Sequence, residues 1–241
     1  MKPFQIFETF FISALISYLI TPFIRQVAIK LDYMDHPKNN KVHGRPVPVL
    51  GGLAIFVAFV IAVITKDQLI ASAHVRAALL GVTILLAVGL VDDRMGMMPS
   101  FKLLGQFLAA MVVIKSGLKI EFIKDYHLST IVTYIWIIGI TNSMNLLDNM
   151  NGLSAGVSVI SASFFGIISL MNGQLAVSAL SFALVGSAIG FLRYNFPKAQ
   201  IFMGDSGSLV LGYTLAVLAL LASWKSYILT TSLAIPVLVL G

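Results

Sequence analysis

The sequence predicts an all-α fold, a polytopic membrane helix bundle with about nine transmembrane helices, and three observations support it. Apolar residues make up 58% of the 241 residues, charged residues only 11%, and the mean hydropathy is +0.94. A soluble domain carries roughly a quarter charged residues, so this chain has too little polar surface to cover a water-soluble globule. Long uncharged segments recur along the chain, and they must be helical because lipid cannot satisfy open strands.

Nine uncharged segments are candidates for the spans. The first is interrupted only by Glu8 and has no small-residue cleavage site after it, so we expect a retained helix rather than a signal peptide. The third contains His74 and Arg76 near its start, so we expect its embedded part to begin just after them. The fourth is the shortest, because only twelve residues separate Lys102 from Lys115. The segments are residues 4–24, 49–64, 69–91, 103–114, 128–147, 152–171, 175–192, 209–222 and 226–241.

The basic residues of the loops predict the orientation. If all nine segments cross, loops 25–48, 92–102, 148–151 and 193–208 share one side, which holds nine of the sixteen Lys and Arg residues. The positive-inside rule then places these loops in the cytoplasm and the N-terminus outside. Because the basic residues lie in short loops rather than in a stripe with aromatic residues, we expect no nucleic-acid partner. With no visible repeat or linker, residues 1–241 are predicted to form a single integral-membrane domain, and the lack of cysteine excludes disulfides and thiol nucleophiles.

Four aspartates lie at predicted helix ends on that side of the membrane. Asp92 and Asp93 directly follow the third segment. Asp148 ends the fifth segment, and Asp205 precedes the eighth. A carboxylate at the membrane boundary is unfavourable unless it is paired, solvated or metal-bound, so this placement indicates a functional site. Any one of them is equally well explained as a solvated helix end, whereas four at one level favour a common site.

The loop before the eighth segment carries Gly204, Asp205 and Ser206. Backbone N–H groups at the start of a helix can face an anion, so we treat Gly204 and Ser206 as candidate phosphate-binding residues. The alternative is that Asp205 or Ser206 simply caps the helix.

Asparagines recur within residues 142–152. Asn142, Asn145 and Asn149 have the i, i+3, i+7 spacing of one helix face. Such a stripe either joins membrane helices by hydrogen bonds or lines a cavity for a polar ligand. Its position beside the aspartates favours the cavity.

The loop at residues 35–52 concentrates Lys, Arg and His beside glycines. We interpret Lys38 and Arg45 as orientation signals and keep Lys41 and His43 as candidate anion contacts. Magnesium is typically held by one or two carboxylates together with substrate phosphates. Acids, basic residues and a helix start suited to phosphate at one membrane face therefore indicate magnesium-dependent handling of phosphate esters.

Several motifs follow one another along the chain: Lys41-Val42-His43 with Pro48 and Gly51-Gly52, Val91 to Arg94, Asn142 to Leu153, Asn195 to Pro197, and Ile201 to Ser208. In order and spacing they resemble those of the polyprenyl-phosphate N-acetylhexosamine-1-phosphate transferases, in glycosyltransferase family 4. The resemblance spans nearly the whole chain, and its last motif is the most diagnostic. The branch it most resembles is that of the bacterial undecaprenyl-phosphate N-acetylglucosaminyl 1-phosphate transferases, which start cell-envelope polysaccharides such as the O-antigen of lipopolysaccharide.

The resemblance implies transfer of N-acetylhexosamine 1-phosphate, with N-acetylglucosamine as the expected sugar, from a UDP-sugar to undecaprenyl phosphate, releasing UMP. It implies a phosphotransferase for substituted phosphate groups that requires Mg²⁺ (or Mn²⁺). The expected location is the bacterial inner membrane, with the active site on the cytoplasmic face. The oligomeric state is left open, and a homodimer is one arrangement to test.

The resemblance also implies roles for individual residues. Asp205 is the best candidate metal ligand, and the Asp92–Asp93 pair handles the metal and the lipid phosphate, with one of the pair accepting the proton of the nucleophile. Asp148 and Asn145 line the nucleotide-sugar pocket. The candidate catalytic residues are Asp92, Asp93 and Asp148, the candidate metal ligands are Asp205 and Asp92, and the candidate substrate-binding residues are Lys41, His43, Asn142, Asn145, Asn151, Gly204 and Ser206.

The sequence departs from the family pattern in two places. Asn151 stands where the family commonly has a second aspartate, which keeps hydrogen bonding but removes a charge. The family also continues past the ninth segment, so a chain ending at Gly241 is expected to lack the C-terminal part of the fold. Two other functions compete: a secondary transporter, which would place ionisable groups near the bilayer midplane, and an inactive truncated homologue that acts only as an interaction partner.

Overall fold

The structure, a computed structural model, describes residues 1–35 and 46–223 of the chain. Within these residues the fold is almost entirely helical, and the strands found there, β1 (Met34–Asp35) and β2 (Val47–Pro48), form one short antiparallel pair. The helices run in chain order as α1 (Phe4–Lys30), α2 (Gly51–Ile64), α3 (Asp67–Ile70), α4 (Ala73–Met95), α5 (Pro99–Lys115), α6 (Tyr126–Leu147), α7 (Leu153–Met171), α8 (Leu175–Asn195) and α9 (Gly204–Ser223).

Eight of the nine predicted segments correspond to helices, and the ninth, residues 226–241, lies outside the described residues. Six described helices are long and apolar enough to cross a membrane: α1, α4, α6, α7, α8 and α9. The helices α2, with 14 residues, and α5, with 17, are shorter, and a crossing normally needs about 20. An all-α, multi-pass membrane bundle is therefore confirmed, whereas the number of nine crossings stays a prediction.

The helices extend further at the predicted site than the apolar segments do. Helix α4 continues to Met95, so Asp92 and Asp93 belong to its last turns instead of following it. Helix α9 begins at Gly204 instead of residue 209, so Asp205 belongs to its first turn. The apolar pattern alone does not indicate these extra turns, because polar residues form them.

The predicted third segment divides into two helices. Ser72 has an extended backbone (φ −73°, ψ 126°) and separates α3 from α4. The guanidinium of Arg76 donates hydrogen bonds to the carbonyls of Ile70 (2.7 Å) and Ala71 (2.8 Å). Carbonyls at the end of a helix lack partners within it, so Arg76 stabilises the break.

Helix α9 lies at the centre of the bundle. Its apolar stretch is 89% buried, against 28% for α1 and for α6, and it packs against α2, α4, α6, α7 and α8. A Cβ atom on Gly52 of α2 would lie 2.2 Å from the backbone nitrogen of Gly207, and one on Gly89 of α4 would lie 2.3 Å from Cα of Ser206. Atoms cannot approach so closely, so glycine at both positions allows α2 and α4 to touch the first turn of α9 backbone to backbone.

The segment before α2 is joined to the segment before α9. Val49 forms a parallel bridge with Phe202. The N–H groups of Gly51 and Gly52 donate to the carbonyls of Phe202 and Met203, both at 2.9 Å. The first N–H groups of a helix need partners from outside it, and these two carbonyls supply them for α2. As a result, β2 ends beside the start of α9.

Candidate active site

Asp93 of α4 caps the first turn of α9. Its Oδ1 accepts a hydrogen bond from the Asp205 N–H at 2.7 Å, and its Oδ2 accepts one from the Ser206 N–H at 3.1 Å. A carboxylate is favourable here because the N-terminal end of a helix carries partial positive charge. The N–H groups predicted to face a phosphate therefore already donate to a carboxylate of the protein.

Gly204 leaves space for the Asp93 carboxylate to reach the first turn of α9. Its φ of +75° lies in the left-handed region, and a Cβ atom at this position would lie 2.6 Å from Oδ2 of Asp93. The side chain of the neighbouring Ser206 is fully buried, and its hydroxyl donates to the Met203 carbonyl at 3.5 Å. Both residues thus contact protein groups at the start of α9, and their assignment to substrate binding stays a prediction.

Lys102 lies between the carboxylates of Asp92 and Asp205. Its Nζ is 2.6 Å from Oδ2 of Asp205 and forms a second, closer ion pair with Oδ2 of Asp92. The Asp92 side chain is only 5% exposed, and its Oδ1 also accepts a hydrogen bond from the Met97 N–H at 2.6 Å. Three helices, α4, α5 and α9, thus bring charged groups together at one point. In the sequence Lys102 stands out only as a residue that bounds an apolar segment, so this role was not predicted.

The asparagine face of α6 divides between two partners. The Nδ2 of Asn145 donates to Oδ1 of Asp205 at 2.5 Å and to the Ser208 hydroxyl at 2.8 Å. Asn142, further from the end of α6, forms a reciprocal amide pair with Gln106 of α5, at 2.7 and 3.1 Å. Gln106 is only 1% exposed. Asn145 therefore belongs to the charged cluster, whereas Asn142 joins α6 to α5, which is the helix-joining alternative considered for this stripe.

Asp148 follows α6 directly and lies at the same end of the bundle. Burial, and after it the carboxylates of Asp205 and Asp93, raises the pKa of Asp148 well above its ordinary value. A carboxyl group of this kind retains its proton to higher pH than an exposed aspartate does. The four aspartates predicted to meet are thus gathered at one end of the bundle, with Asp148 beside the ion-paired cluster instead of within it.

Asn195, at the end of α8, forms hydrogen bonds to the loop before α7 and to the loop before α9, which border this cluster. Its Oδ1 accepts a hydrogen bond from the Gly152 N–H at 2.7 Å, and its Nδ2 donates to the Ile201 carbonyl at 3.0 Å. Asn151 lies in the first of these loops, where it is exposed and its Nδ2 is 3.4 Å from the Pro197 carbonyl. The sequence feature that could have predicted these two hydrogen bonds is an asparagine at the end of an apolar helix.

Two predicted phosphate contacts, Lys41 and His43, lie outside the described residues. Among residues 1–35 and 46–223, no group of three or more His, Cys, Asp or Glu side chains is arranged to hold a metal ion. Asp92 and Asp205 nevertheless converge on a single cationic nitrogen. Since magnesium is usually held by one or two carboxylates together with substrate phosphates, this pair fits such an ion.

Comparison with known proteins identifies relatives of the whole chain. The family model described as glycosyl transferase family 4 matches residues 75–223. A Bacillus subtilis (strain 168) protein named "Probable undecaprenyl-phosphate N-acetylglucosaminyl 1-phosphate transferase" is 37% identical over 246 residues, which cover 98% of this chain and 68% of the relative.

Two more distant relatives are similar over slightly less of the chain. A Mycobacterium tuberculosis (strain H37Rv) protein named "Decaprenyl-phosphate N-acetylglucosaminephosphotransferase" is 33% identical over 85% of this chain and 57% of its own length. A "Phospho-N-acetylmuramoyl-pentapeptide-transferase" of Thermoanaerobacter sp. (strain X514) is 30% identical over 84% of this chain and 70% of its own length. The chain thus spans between 57% and 70% of the length of these three relatives. From the family match and these identities, the chain belongs to glycosyl transferase family 4.

Proposed function

We propose that this protein transfers N-acetylglucosamine 1-phosphate from UDP-N-acetylglucosamine to undecaprenyl phosphate, giving a lipid pyrophosphate sugar and UMP. The names of its relatives support this reaction. The observation that carries the proposal within the molecule is the convergence of Asp92, Lys102 and Asp205 at one end of a membrane bundle. The transporter and the inactive homologue are not favoured, because the similar proteins are named as transferases.

In the proposed reaction, an oxygen of the lipid phosphate attacks the phosphorus that carries the sugar. The bond from this phosphorus to the oxygen shared with the nucleotide phosphate breaks, and its electron pair leaves with UMP. Both reactants are anionic, so catalysis depends on positioning them and neutralising their charge. A site that combines carboxylates for a cation with basic residues for phosphates is suited to this task.

The residues would divide the work as follows. Asp92 and Asp205 would hold Mg²⁺ or Mn²⁺, which when bound lowers the negative charge on the phosphates. Asp93 would keep the first turn of α9, and with it Asp205, in place; both of its carboxylate oxygens already accept hydrogen bonds. Asp148 and Asn145 would line the nucleotide-sugar pocket.

The proton acceptor is expected to be the member of the pair that is less committed to backbone groups. Both carboxylate oxygens of Asp93 accept N–H groups of α9, whereas only Oδ1 of Asp92 accepts a backbone N–H, that of Met97. We therefore expect Asp92 to accept the proton of the nucleophile. Lys41, His43 and Asn151 remain proposed contacts to the substrates.

We place this end of the bundle at the cytoplasmic face of the bacterial inner membrane, with the N-terminus outside. Contacts between helix ends and the segments that follow other helices support a common side for them: Arg94 donates to the Leu31 carbonyl at 3.2 Å and lies 4.9 Å from the ring centre of Tyr33. Arg25 donates to the Gln200 carbonyl at 3.1 Å. The excess of basic residues on that side supports its cytoplasmic location.

UMP release tests the proposed function. The protein, expressed from its complete reading frame and purified, is incubated with UDP-N-acetylglucosamine, undecaprenyl phosphate and magnesium. We expect UMP and a lipid pyrophosphate sugar, and we expect Asp205→Asn to abolish both. Uptake of a substrate into vesicles without UMP release would instead support the transporter.

A further inference from the structure

Lys102 is held in a place where its own helix does not favour a positive charge. It is the fourth residue of α5, which begins at Pro99, and cations are unfavourable near the positively charged end of a helix. Its ammonium group nevertheless contacts both Asp92 and Asp205, and its side chain is only 22% exposed. The carboxylates, and not the helix, therefore determine where this ammonium lies.

The two carboxylates need a cation between them. They come from different helices, α4 and α9, and a single nitrogen contacts one oxygen of each. Two carboxylates this close repel each other unless a positive charge or a proton intervenes. Lys102 offsets only one of the two charges. The cluster of Asp92, Lys102 and Asp205 therefore retains net negative charge and remains attractive to a divalent cation.

We propose that Lys102 is a placeholder for the divalent cation. Its ammonium bridges Asp92 and Asp205, and a divalent ion bound by these carboxylates would release it. The flexible four-carbon stem of lysine allows its charged end to swing away without movement of the backbone. The inference rests on the proposed function, because the proposed transfer is the reason to expect a divalent ion at Asp92 and Asp205.

Direct binding of Mn²⁺, measured by electron paramagnetic resonance on the purified full chain without substrates, tests the proposal. Because Lys102→Met removes the competing ammonium, we expect it to bind Mn²⁺ about tenfold more tightly than the wild type. Lys102→Arg keeps the charge, so we expect no gain. Lys115→Met, at the exposed far end of the same helix, is the matched control and should bind as the wild type does. Unchanged or weaker binding by Lys102→Met would overturn the proposal, as would unchanged binding by Asp205→Asn.

A second measurement uses the wild-type protein and does not depend on the folding of a variant. Lysine acetylation by acetic anhydride is followed by mass spectrometry with and without Mn²⁺. We expect Mn²⁺ to increase the acetylation of Lys102 several-fold, because the released ammonium becomes accessible, and to leave Lys115 unchanged. Equal or lower acetylation of Lys102 with Mn²⁺ would show that the ammonium is not displaced.

Neither measurement involves sugar transfer, so the two proposals can fail separately. Tighter Mn²⁺ binding by Lys102→Met without UMP release by the wild type would support the placeholder and contradict the proposed transfer. UMP release by the wild type together with unchanged Mn²⁺ binding by Lys102→Met would do the reverse.

Discussion

Replacing Asp93 with alanine removes the cap that α4 supplies to α9. The change leaves the N–H groups of Asp205 and Ser206, at the start of the most buried helix, without their acceptors. Losing a helix cap costs about 1 kcal/mol, and each buried donor left unpaired adds about 1–3 kcal/mol. Allowing for partial replacement by water, we expect the variant to lose about 2–4 kcal/mol of unfolding free energy.

A thermal melt in detergent, followed by intrinsic fluorescence, measures this loss. In a chain of this size each kcal/mol lowers the melting temperature by about 2–4 °C, so Asp93→Ala should melt roughly 5–15 °C below the wild type. Asp93→Asn retains one acceptor oxygen and should fall in between.

Asp125→Ala is the matched control, because Asp125 also caps a helix. It accepts one hydrogen bond, from the Leu128 N–H at 2.7 Å, but it is exposed, so water can replace it. We expect a decrease of no more than about 1 kcal/mol. If Asp93→Ala melts no lower than Asp125→Ala, the inter-helix cap does not hold α9 in place and our account of Asp93 is wrong.

Three further predictions concern the surroundings of this cap. Gly204→Ala should lower both the melting temperature and UMP release, because its Cβ would lie 2.6 Å from Asp93 Oδ2 at a φ of +75°. Asn142→Leu should lose about 1–3 kcal/mol of unfolding free energy, because it leaves the buried Gln106 amide without a hydrogen-bond partner. Adding Gln106→Leu should restore part of this loss. Additive losses from the two substitutions in a double-mutant cycle would contradict the pairing. Asp148→Asn should raise the melting temperature more at pH 8 than at pH 5. Because the pKa of Asp148 is raised in the folded protein, the folding stability of the wild type falls as the pH rises, and the neutral amide removes this loss. An equal gain in melting temperature at both pH values would contradict the raised pKa.

Hydropathy was sufficient to locate the helices, but it placed their ends inaccurately at the site. The apolar segment that predicts α9 begins at residue 209, and yet the helix begins at Gly204. The reason is a carboxylate from another helix: Asp93 satisfies the first N–H groups of α9, and no feature of the local sequence indicates that partner.

The site was predicted in part. The aspartates could be identified because carboxylates are rare in this chain and lie at segment ends, and the structure brings Asp93 and Asp205 into contact. Lys102 was missed because a lysine beside an apolar run is usually interpreted as a boundary residue. For Asn142 the sequence left open a ligand contact or a hydrogen bond between helices. In the structure its amide pairs with Gln106, a partner that a single sequence does not reveal.

The central position of α9 affects the order in which the protein can assemble. This helix comes last among the described helices, yet α2, α4, α6, α7 and α8 all pack against it. The pairs α1–α8, α7–α8 and α4–α5 do not involve α9, so these helices can pack against each other before it is made. Gly52 and Gly89, by contrast, contact the backbone of the first turn of α9, so the surfaces of α2 and α4 around them stay uncovered until α9 enters the membrane.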